Sequence, residues 1–305
     1  MKLLTYRYKM FGPRAGVKLG EDVVDLTSLL NAGDTIRDVQ DLLERYPDTV
    51  NTIQSALDKA GNPEKLPLEA VCLCAPILQP PIILDSSIFE VHSKGSSKES
   101  GIVTPAIWYK RPVFYYQNPG VIEGSEAQIS RKPGSTTLDY EAEVALVVGK
   151  KGRNVPPEKM EEYIVGLTIF NDWSDREICG EEVGFLGMHK SKDFESGLGP
   201  WVVTFDEFRD KYRDGKLFLK VDARVNGETL TDSCTDDMYW TLPQLFKVVA
   251  EDTAILPGEV IGIGTVGHGC IHERAGEIPY LSDGDTVEIE VEGIGTLRQY
   301  VRAKN

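Results

Sequence analysis

The N-terminal part of the chain alternates short apolar stretches with polar turns and then becomes helix-like in spacing. Apolar residues at every second position predict strands, and Val, Leu and Ala at spacings of three and four predict helices. The predicted strands span residues 2–8, 14–19 and 23–30, and the predicted helices span residues 38–46 and 52–60. A Pro-rich segment, residues 76–81, follows. We therefore predict a small N-terminal α+β domain over residues 1–70.

The remainder of the chain, residues 71–305, is dominated by strand patterns. The predicted strands span residues 111–116, 141–148, 163–171, 217–225, 259–264 and 286–292, and the clearest helix spans residues 240–251. Few helices separate the strands, which argues against a doubly wound parallel sheet and favours a mixed, β-rich α+β domain. Residues 93–101, rich in Ser, Lys and Gly, are predicted to be a mobile lid over a substrate or an ordinary surface loop.

Composition and charge exclude several classes of partner. The 305 residues are 41% hydrophobic and 27% charged, as in a globular protein, and the formal net charge of -15 disfavours nucleic acid and anionic membranes. No apolar run approaches the roughly 20 residues that a membrane span needs. Five cysteines, an odd number, and the lack of an export signal indicate a cytoplasmic protein with free thiols.

Two glutamates in the strand over residues 141–148 suggest a metal site. Glu141 and Glu143 are two residues apart and leave the same face of the strand, whereas the opposite face is apolar. In an interior strand the two carboxylates would repel each other unless a cation joined them. Oxygen ligands suit Mg²⁺ or Ca²⁺. The alternative is an edge strand with its polar side in water.

Two further acidic residues and a histidine lie near predicted strands. Asp172 follows an apolar strand, where it would reach the rim of a sheet or would cap the next helix. Asp85 precedes His92 by seven residues. Taken alone, His92 would more often be structural, and Cys179 is better explained as a small buried residue than as a nucleophile.

These segments form an ordered series along residues 80–301. It comprises LDYEAEVALVVG at 138–149, NDWSDR at 171–176, SKDF at 191–194, LPGEVIGIGTV at 256–266 and GDTVEIEVEGIGTL at 284–297. In this order they resemble the fumarylacetoacetate hydrolase superfamily. The chain departs from the family pattern at Cys179, where close relatives of the fumarylacetoacetate enzyme carry Gln, and at Ser191, where Gly is usual. The departures bear on the substrate more than on the metal.

The resemblance implies a fold, a metal and a set of site residues. The fold implied is the family's mixed β-sandwich or β-roll, and the ion is Mg²⁺, Mn²⁺ or Ca²⁺. The implied metal ligands are Asp85, Glu141, Glu143 and Asp172. His92 is the implied general base, Arg176 and Lys192 are implied to face the substrate and assist catalysis, and Thr265 is implied to approach the substrate carboxylate.

The function expected from the resemblance is metal-dependent hydrolysis of a carbon–carbon bond. The substrate would be a 1,3-dicarbonyl 2-oxo acid, such as an acylpyruvate or fumarylacetoacetate, cleaved through a metal-bound enolate. Alternatives are a decarboxylase, tautomerase or dehydratase of oxaloacetate-like acids on the same fold, or a non-catalytic oligomer stapled by metal. Glu273 and Glu277 are both candidates for the acidic partner of His92. A cytoplasmic homodimer is expected.

Overall fold

The structure is a computed structural model that describes residues 1–101, 103–131, 134–185 and 187–303. Its N-terminal part contains strands β1 (Lys2–Arg7), β2 (Arg14–Leu19), β3 (Asp22–Asp25), β4 (Leu66–Pro67) and β5 (Cys72–Leu73), and helices α1 (Leu26–Leu29), α2 (Val39–Arg45) and α3 (Thr49–Ala60). The strand predicted over residues 23–30 ends early, because the Asp25 side chain accepts a hydrogen bond from Ser28 N and caps α1.

The remaining elements are mainly strands, as predicted. The strands are β6 (Ile83–Ser87), β7 (Val113–Gln117), β8 (Ile122–Glu123), β9 (Ala127–Arg131), β10 (Leu138–Asp139), β11 (Ala142–Val148), β12 (Gly152–Arg153), β13 (Ile164–Asn171), β14 (Ser174–Asp175), β15 (Ser196–Thr204), β16 (Tyr212–Arg213), β17 (Lys216–Leu217), β18 (Lys220–Val225), β19 (Glu228–Cys234), β20 (Ala254–Ile255), β21 (Val260–Gly262), β22 (Thr286–Val291) and β23 (Gly295–Ala303). The helices are α4 (Glu90–Glu99), α5 (Met160–Tyr163), α6 (Arg176–Glu182) and α7 (Leu242–Ala250), and short 3-10 turns include Ala106–Tyr109 and His272–Arg274.

The strands form two main sheets. The larger sheet has the order β4-β3-β2-β1-β15-β13-β11-β21-β6-β7, with β5 beside β1 and β8 beside β15. The smaller sheet has the order β19-β18-β22-β23-β9. In the larger sheet β1 pairs antiparallel with β15, with Lys2 opposite Val203. The sheet therefore runs through the predicted boundary at residue 70, and the division into two domains stays a prediction.

Strand β11 lies inside the larger sheet and is buried on both faces. Val144 and Leu146 pack in a core shared with the smaller sheet and α7, whereas Ala145 and Val147 pack in a core shared with the N-terminal helices. The period-2 alternation of a strand thus serves two cores at once. Since β11 is an interior strand, the alternative of an edge strand with a wetted polar side is wrong.

The predicted fold class is confirmed: the chain has a mixed, strand-rich α+β architecture, and its sheets are open rather than closed barrels. The prediction of a loop over residues 93–101 is wrong, because helix α4 extends to Glu99. Whether this segment acts as a lid stays a prediction.

In the part of the chain that the structure describes, no helix has both the length and the apolar character required to cross a bilayer.

Candidate metal centre and active site

Three carboxylates from neighbouring strands meet at one end of the larger sheet. Asp85 lies on β6, Glu143 lies on β11, and Asp172 directly follows β13. Strands β13 and β11 are neighbours in the sheet, and β21 alone separates β11 from β6. All three residues are buried, and one carboxylate oxygen of each lies within 4.8 Å of the others. The sheet order therefore assembles an oxygen cluster from three distant parts of the sequence.

Glycine at position 262 leaves room for this cluster. Gly262 is on β21, opposite Asp85 in the parallel ladder. A Cβ atom there would clash with Asp85 Oδ1 and would lie 3.1 Å from Glu143 Oε2. A glycine inside a strand commonly marks a place where another group approaches the backbone closely. Here the approaching groups are two of the three clustered carboxylates.

Three oxygens of the cluster lack a hydrogen-bond partner among the described residues: Asp85 Oδ1, Glu143 Oε2 and Asp172 Oδ1. Burial, reinforced by the neighbouring carboxylates, raises the pKa of Glu143 well above its ordinary value. Burial also raises the pKa of Asp172, to about 7, although Lys192 opposes the shift. Buried acceptors without donors are costly, and a hard divalent cation would satisfy all three. The donor set therefore fits the divalent metal that the sequence predicts.

Glu141 differs from the other three predicted ligands. Its Oε2 is 2.6 Å from Lys192 Nζ, and its Oε1 is 2.8 Å from an Arg176 Nη atom and 3.7 Å from His92 Nε2. Burial would raise the pKa of Glu141, but the charges of Lys192 and Arg176 hold it well below the ordinary value. Glu141 is thus next to the cluster, with its charge already neutralised by basic residues. Its role as a metal ligand stays a prediction.

Lys192 connects the carboxylate cluster to Glu141. Its buried ammonium donates to Asp172 Oδ2 at 2.5 Å and to Ser174 Oγ at 2.6 Å, in addition to Glu141. Burial would lower its pKa, but Asp172 and Glu141 raise it above the ordinary value, so the ammonium is charged. Arg176, the first residue of α6, is similarly buried and bonded to carboxylates. Lys192 therefore contacts the cluster directly, whereas Arg176 contacts Glu141 and Asp139 beside it.

His92 is on α4 and pairs with Glu273. Its Nδ1 is 2.9 Å from Glu273 Oε1, and Glu273 Oε2 accepts from His268 N at 2.9 Å. Burial would lower the pKa of His92, but the hydrogen bond and the charge of Glu273 raise it above the ordinary value. Glu277, the other candidate, is exposed. Glu273 is therefore the acidic partner of His92 in this structure.

Two residues of the site were missed in the sequence. Asp139 accepts from Arg176 Nε at 2.8 Å and from the backbone N–H groups of Ile271 and His272 at 2.9 Å each. Tyr115 donates a short hydrogen bond to Asp172 Oδ2. Asp139 precedes Glu141 by two residues, so strand alternation was a usable signal for it. Tyr115 is one of several aromatic residues on β7, and no pattern in the neighbouring sequence distinguishes it from the others.

A cavity of about 280 Å³ reaches the cluster at Asp85. It is lined by the predicted residues His92, Arg176, Lys192 and Thr265, and by one face of α4 that carries Ser93, Ser96 and Ser97. Thr265 Oγ1 donates to Glu143 Oε1 at 3.0 Å, and its predicted contact with substrate stays a prediction.

A larger cavity of about 470 Å³ lies in the N-terminal part, where Arg14 and Asp25 on its wall already pair with each other. We locate the site at the smaller cavity, because Asp85, Lys192 and His92, the partner of Glu273, line it.

An open, strand-rich fold that holds a buried oxygen cluster beside a histidine–carboxylate pair defines a class of metal-dependent enzymes. Within that class, residues 89–302 match the sequence model of the fumarylacetoacetate (FAA) hydrolase C-terminal domain. The chain belongs to the fumarylacetoacetate hydrolase family, as its motifs predict. Asp85 lies just before the matched range.

Two curated relatives align with most of this chain. The human mitochondrial oxaloacetate tautomerase FAHD2B is 28% identical over 306 residues, covering 97% of this chain and 90% of the relative. The oxaloacetate tautomerase YisK of Bacillus subtilis is 29% identical over 240 residues, covering 77% of this chain and 74% of the relative. Tautomerases are therefore among the relatives of this chain, beside the hydrolases expected from its motifs.

Two solved structures share the fold over the full length of both chains. The fumarylacetoacetate hydrolase of Exiguobacterium antarcticum has a TM-score of 0.77 at 25% identity. The maleylpyruvate hydrolase of Sphingobium sp. SYK-6, solved in complex with manganese(II) ion and pyruvate, has a TM-score of 0.77 at 20% identity. The second likeness shows the fold alone, and its bound ion and ligand are properties of that protein.

Proposed function

We propose that this protein is a divalent-metal-dependent enzyme that converts small 2-oxo acids. One observation carries the proposal: the donorless oxygens of Asp85, Glu143 and Asp172 form one buried cluster, and the cavity that Asp85 lines is also lined by His92, the partner of Glu273. A stapling role for the metal would explain the oxygens alone. It gives no reason for a paired imidazole that faces the same cavity.

Asp85, Glu143 and Asp172 would hold the ion, with Mg²⁺ and Mn²⁺ as the first candidates and Ca²⁺ as the third. When bound, such an ion supplies a Lewis acid for an oxygen that gains negative charge during the reaction. Glu141 would join the ligands only by loosening its contact with Lys192. A homodimer and a cytoplasmic location stay predictions.

His92 would move the proton. Glu273 at Nδ1 orients the ring and favours the tautomer in which Nε2 is free to accept a proton. Nε2 faces Glu141 and the cavity. The hydrogen bond and charge of Glu273 raise the pKa of His92 above its ordinary value, which strengthens the imidazole as a base for a carbon acid or for water. Arg176 and Lys192 would add positive charge beside a substrate carboxylate.

Within this chemistry we favour the interconversion of enol and keto forms of an oxaloacetate-like dicarboxylate. The serine hydroxyls of α4 provide hydrogen bonds for a polar tail, and the small cavity suits a short acid. Two relatives that align with most of the chain carry the name oxaloacetate tautomerase. Hydrolysis of an acylpyruvate is the second candidate, favoured by the paired His92, which suits activation of water.

A side-by-side assay tests the proposal. The decay of enol-oxaloacetate absorbance and the cleavage of acetylpyruvate and maleylpyruvate would be followed with Mg²⁺, with Mn²⁺ and with EDTA. We expect metal-dependent acceleration of the oxaloacetate reaction that E143Q abolishes and that E290Q, a change at an exposed glutamate on β22, preserves. Faster cleavage of the acylpyruvates would favour the second candidate. Absence of acceleration for every acid and ion would refute both.

A further inference from the structure

A second group of metal-ligating atoms lies beside the carboxylate cluster. His92 Nδ1, Glu273 Oε1 and Cys270 Sγ lie within 4.8 Å of one another. The nitrogen and the oxygen are 2.9 Å apart, the sulfur is 3.9 Å from the nitrogen, and the sulfur is 3.7 Å from the oxygen. These atoms come from α4, from the loop after β21 and from the His272–Arg274 turn. The tertiary fold therefore brings together a nitrogen, a sulfur and an oxygen donor.

The triangle that these atoms form is close to the one a zinc ion requires. Ordinary Zn–N, Zn–S and Zn–O distances and tetrahedral angles give edges of about 3.3 Å for nitrogen to oxygen, about 3.6 Å for nitrogen to sulfur and about 3.5 Å for sulfur to oxygen. The observed edges differ from these values by about 0.2 to 0.4 Å, using the same bond lengths. Side-chain adjustments of this size need no change of the backbone.

The donor chemistry separates this group from the carboxylate cluster. Asp85, Glu143 and Asp172 offer oxygen alone, which suits Mg²⁺ or Mn²⁺. A thiolate, an imidazole and a carboxylate instead suit a borderline-soft ion, foremost Zn²⁺. Nδ1 of His92 faces Glu273, whereas Nε2 faces Glu141, which shares Lys192 with Asp172 of the carboxylate cluster.

Access and charge favour a cation at this place. His92 lines the cavity, so the cavity reaches the imidazole that Glu273 and Cys270 contact. The charged groups that act on His92 or Cys270 include the carboxylates of Glu273, Glu141 and Asp139, against the guanidinium of Arg176. When Lys192, which pairs with Glu141, is counted as well, the three carboxylates outnumber the two basic side chains by one.

We propose that His92, Cys270 and Glu273 form an inhibitory site for Zn²⁺ or a similar thiophilic ion, distinct from the carboxylate site. Binding releases the thiol proton and any proton on Nδ1 to solvent, and the ion replaces the hydrogen bond between His92 and Glu273. The inhibition rests on the proposed function, since it requires His92 to act as the base. The binding itself does not.

Cobalt spectroscopy tests the binding without any assay of activity. Co²⁺ is added to the full chain in excess Mg²⁺, and the sulfur-to-cobalt charge-transfer band in the near ultraviolet is recorded. We expect one equivalent of Co²⁺ to give the band, and Zn²⁺ to displace it. C270A should lack the band, whereas C179A, a change at a partly buried cysteine on the same cavity, should keep it. A band that persists in C270A, or no band in the parent protein, overturns the proposal.

The location of bound zinc gives a second measurement that does not depend on the folding of C270A. In crystals of the parent protein soaked in Zn²⁺ with Mg²⁺ present, an anomalous peak should lie between His92 Nδ1 and Cys270 Sγ. A peak only among Asp85, Glu143 and Asp172 would contradict it. Loss of a residue that only contacts a metal ligand weakens metal binding by about 10- to 100-fold. Cys270 is proposed as a direct ligand, so the Kd for Zn²⁺ should rise by more than this in C270A. If the parent protein bound zinc at this site but had no enzymatic activity, the proposed function would be refuted and the zinc-binding proposal would stand.

Discussion

At the scale of single residues, Gly262 sets the space available to the carboxylate cluster. Adding a methyl group in G262A would force Asp85 Oδ1 away, because the new Cβ would overlap that oxygen. We expect Mg²⁺ to raise the melting temperature of the parent protein and to bind G262A at least about tenfold more weakly, as a misplaced ligand implies. Thermal melting against Mg²⁺ concentration measures this. Gly33, which has open space around its Cβ position, supplies the control G33A. Equal Mg²⁺ titrations for all three proteins would contradict the prediction.

The cluster residues were predictable from sequence where neighbouring positions or family motifs marked them. The pair Glu141 and Glu143 follows from strand alternation, and Asp85 and Asp172 followed from the resemblance. The sequence did not predict that Glu141 is held by Lys192 and Arg176 rather than by the oxygen cluster. That difference depends on where three chain segments meet, which no local pattern encodes.

Glu259 carries a testable electrostatic cost. It is buried at the start of β21, its Oε1 has no partner among the described residues, and burial raises its pKa from 4.5 to about 7. Because the folded-state pKa lies above the unfolded one, deprotonation of Glu259 costs the folded protein more than the unfolded chain. The free energy of unfolding is therefore unaffected by this carboxyl below pH 4.5 and falls as the pH rises from 4.5 through 7. We expect E259Q to be more stable than the parent protein by up to about 3 kcal/mol at pH 8 and by almost nothing at pH 4.5.

Urea denaturation of both proteins at the two pH values measures this difference. The comparison between variant and parent cancels the other titrating groups, provided that both proteins unfold in two states. E251Q, a change at an exposed glutamate that caps α7, is the control and should show no such dependence on pH. An E259Q stability gain that is the same at pH 4.5 and pH 8 would show that the carboxyl titrates normally.

At the scale of elements, helix α4 is where sequence patterns were least informative. Its residues are mostly Ser, Lys, Glu and Gly, with no apolar stripe, so the pattern indicated a loop. The helix is stabilised by tertiary contacts instead, including His92 with Glu273 and Ser100 with His272. The helices α2 and α7 were predicted well, because each has an apolar face and an N-terminal cap, at Asp38 and Thr241 respectively.

The serine face of α4 gives a prediction about substrate preference. Ser96 and Ser97 line the cavity, and we expect their hydroxyls to bond a polar substrate tail. We expect each alanine variant to lower kcat/KM for oxaloacetate by about 2- to 10-fold, the value of one neutral hydrogen bond, with little change in melting temperature. S55A, at an exposed position on α3, is the control. Unchanged kcat/KM in the S96A/S97A double variant would remove α4 from substrate recognition.

At the scale of the whole molecule, the larger sheet unites the N-terminal part with the rest. Besides the β1–β15 pairing, Thr5 Oγ1 donates to Pro76 O at 2.6 Å and accepts from Val39 N at 3.2 Å, which joins β1 to α2 and to the segment before β6. Residue patterns gave the strands of both parts but not this pairing, because the two partners are about 200 residues apart, as Lys2 and Val203 illustrate. Such long-range pairing leaves no periodic signal.

The continuous sheet predicts that the chain unfolds as one unit. We expect a single calorimetric transition, and T5V should lower its midpoint as a whole, costing about 1 to 3 kcal/mol because two buried hydrogen bonds are lost while the shape is kept. T229V, at an exposed position on β19, should leave the midpoint unchanged. Differential scanning calorimetry distinguishes the outcomes. If T5V split the profile in two or moved only an early shoulder, residues 1–70 would be melting as a domain of their own, and the β1–β15 junction would not couple the two parts.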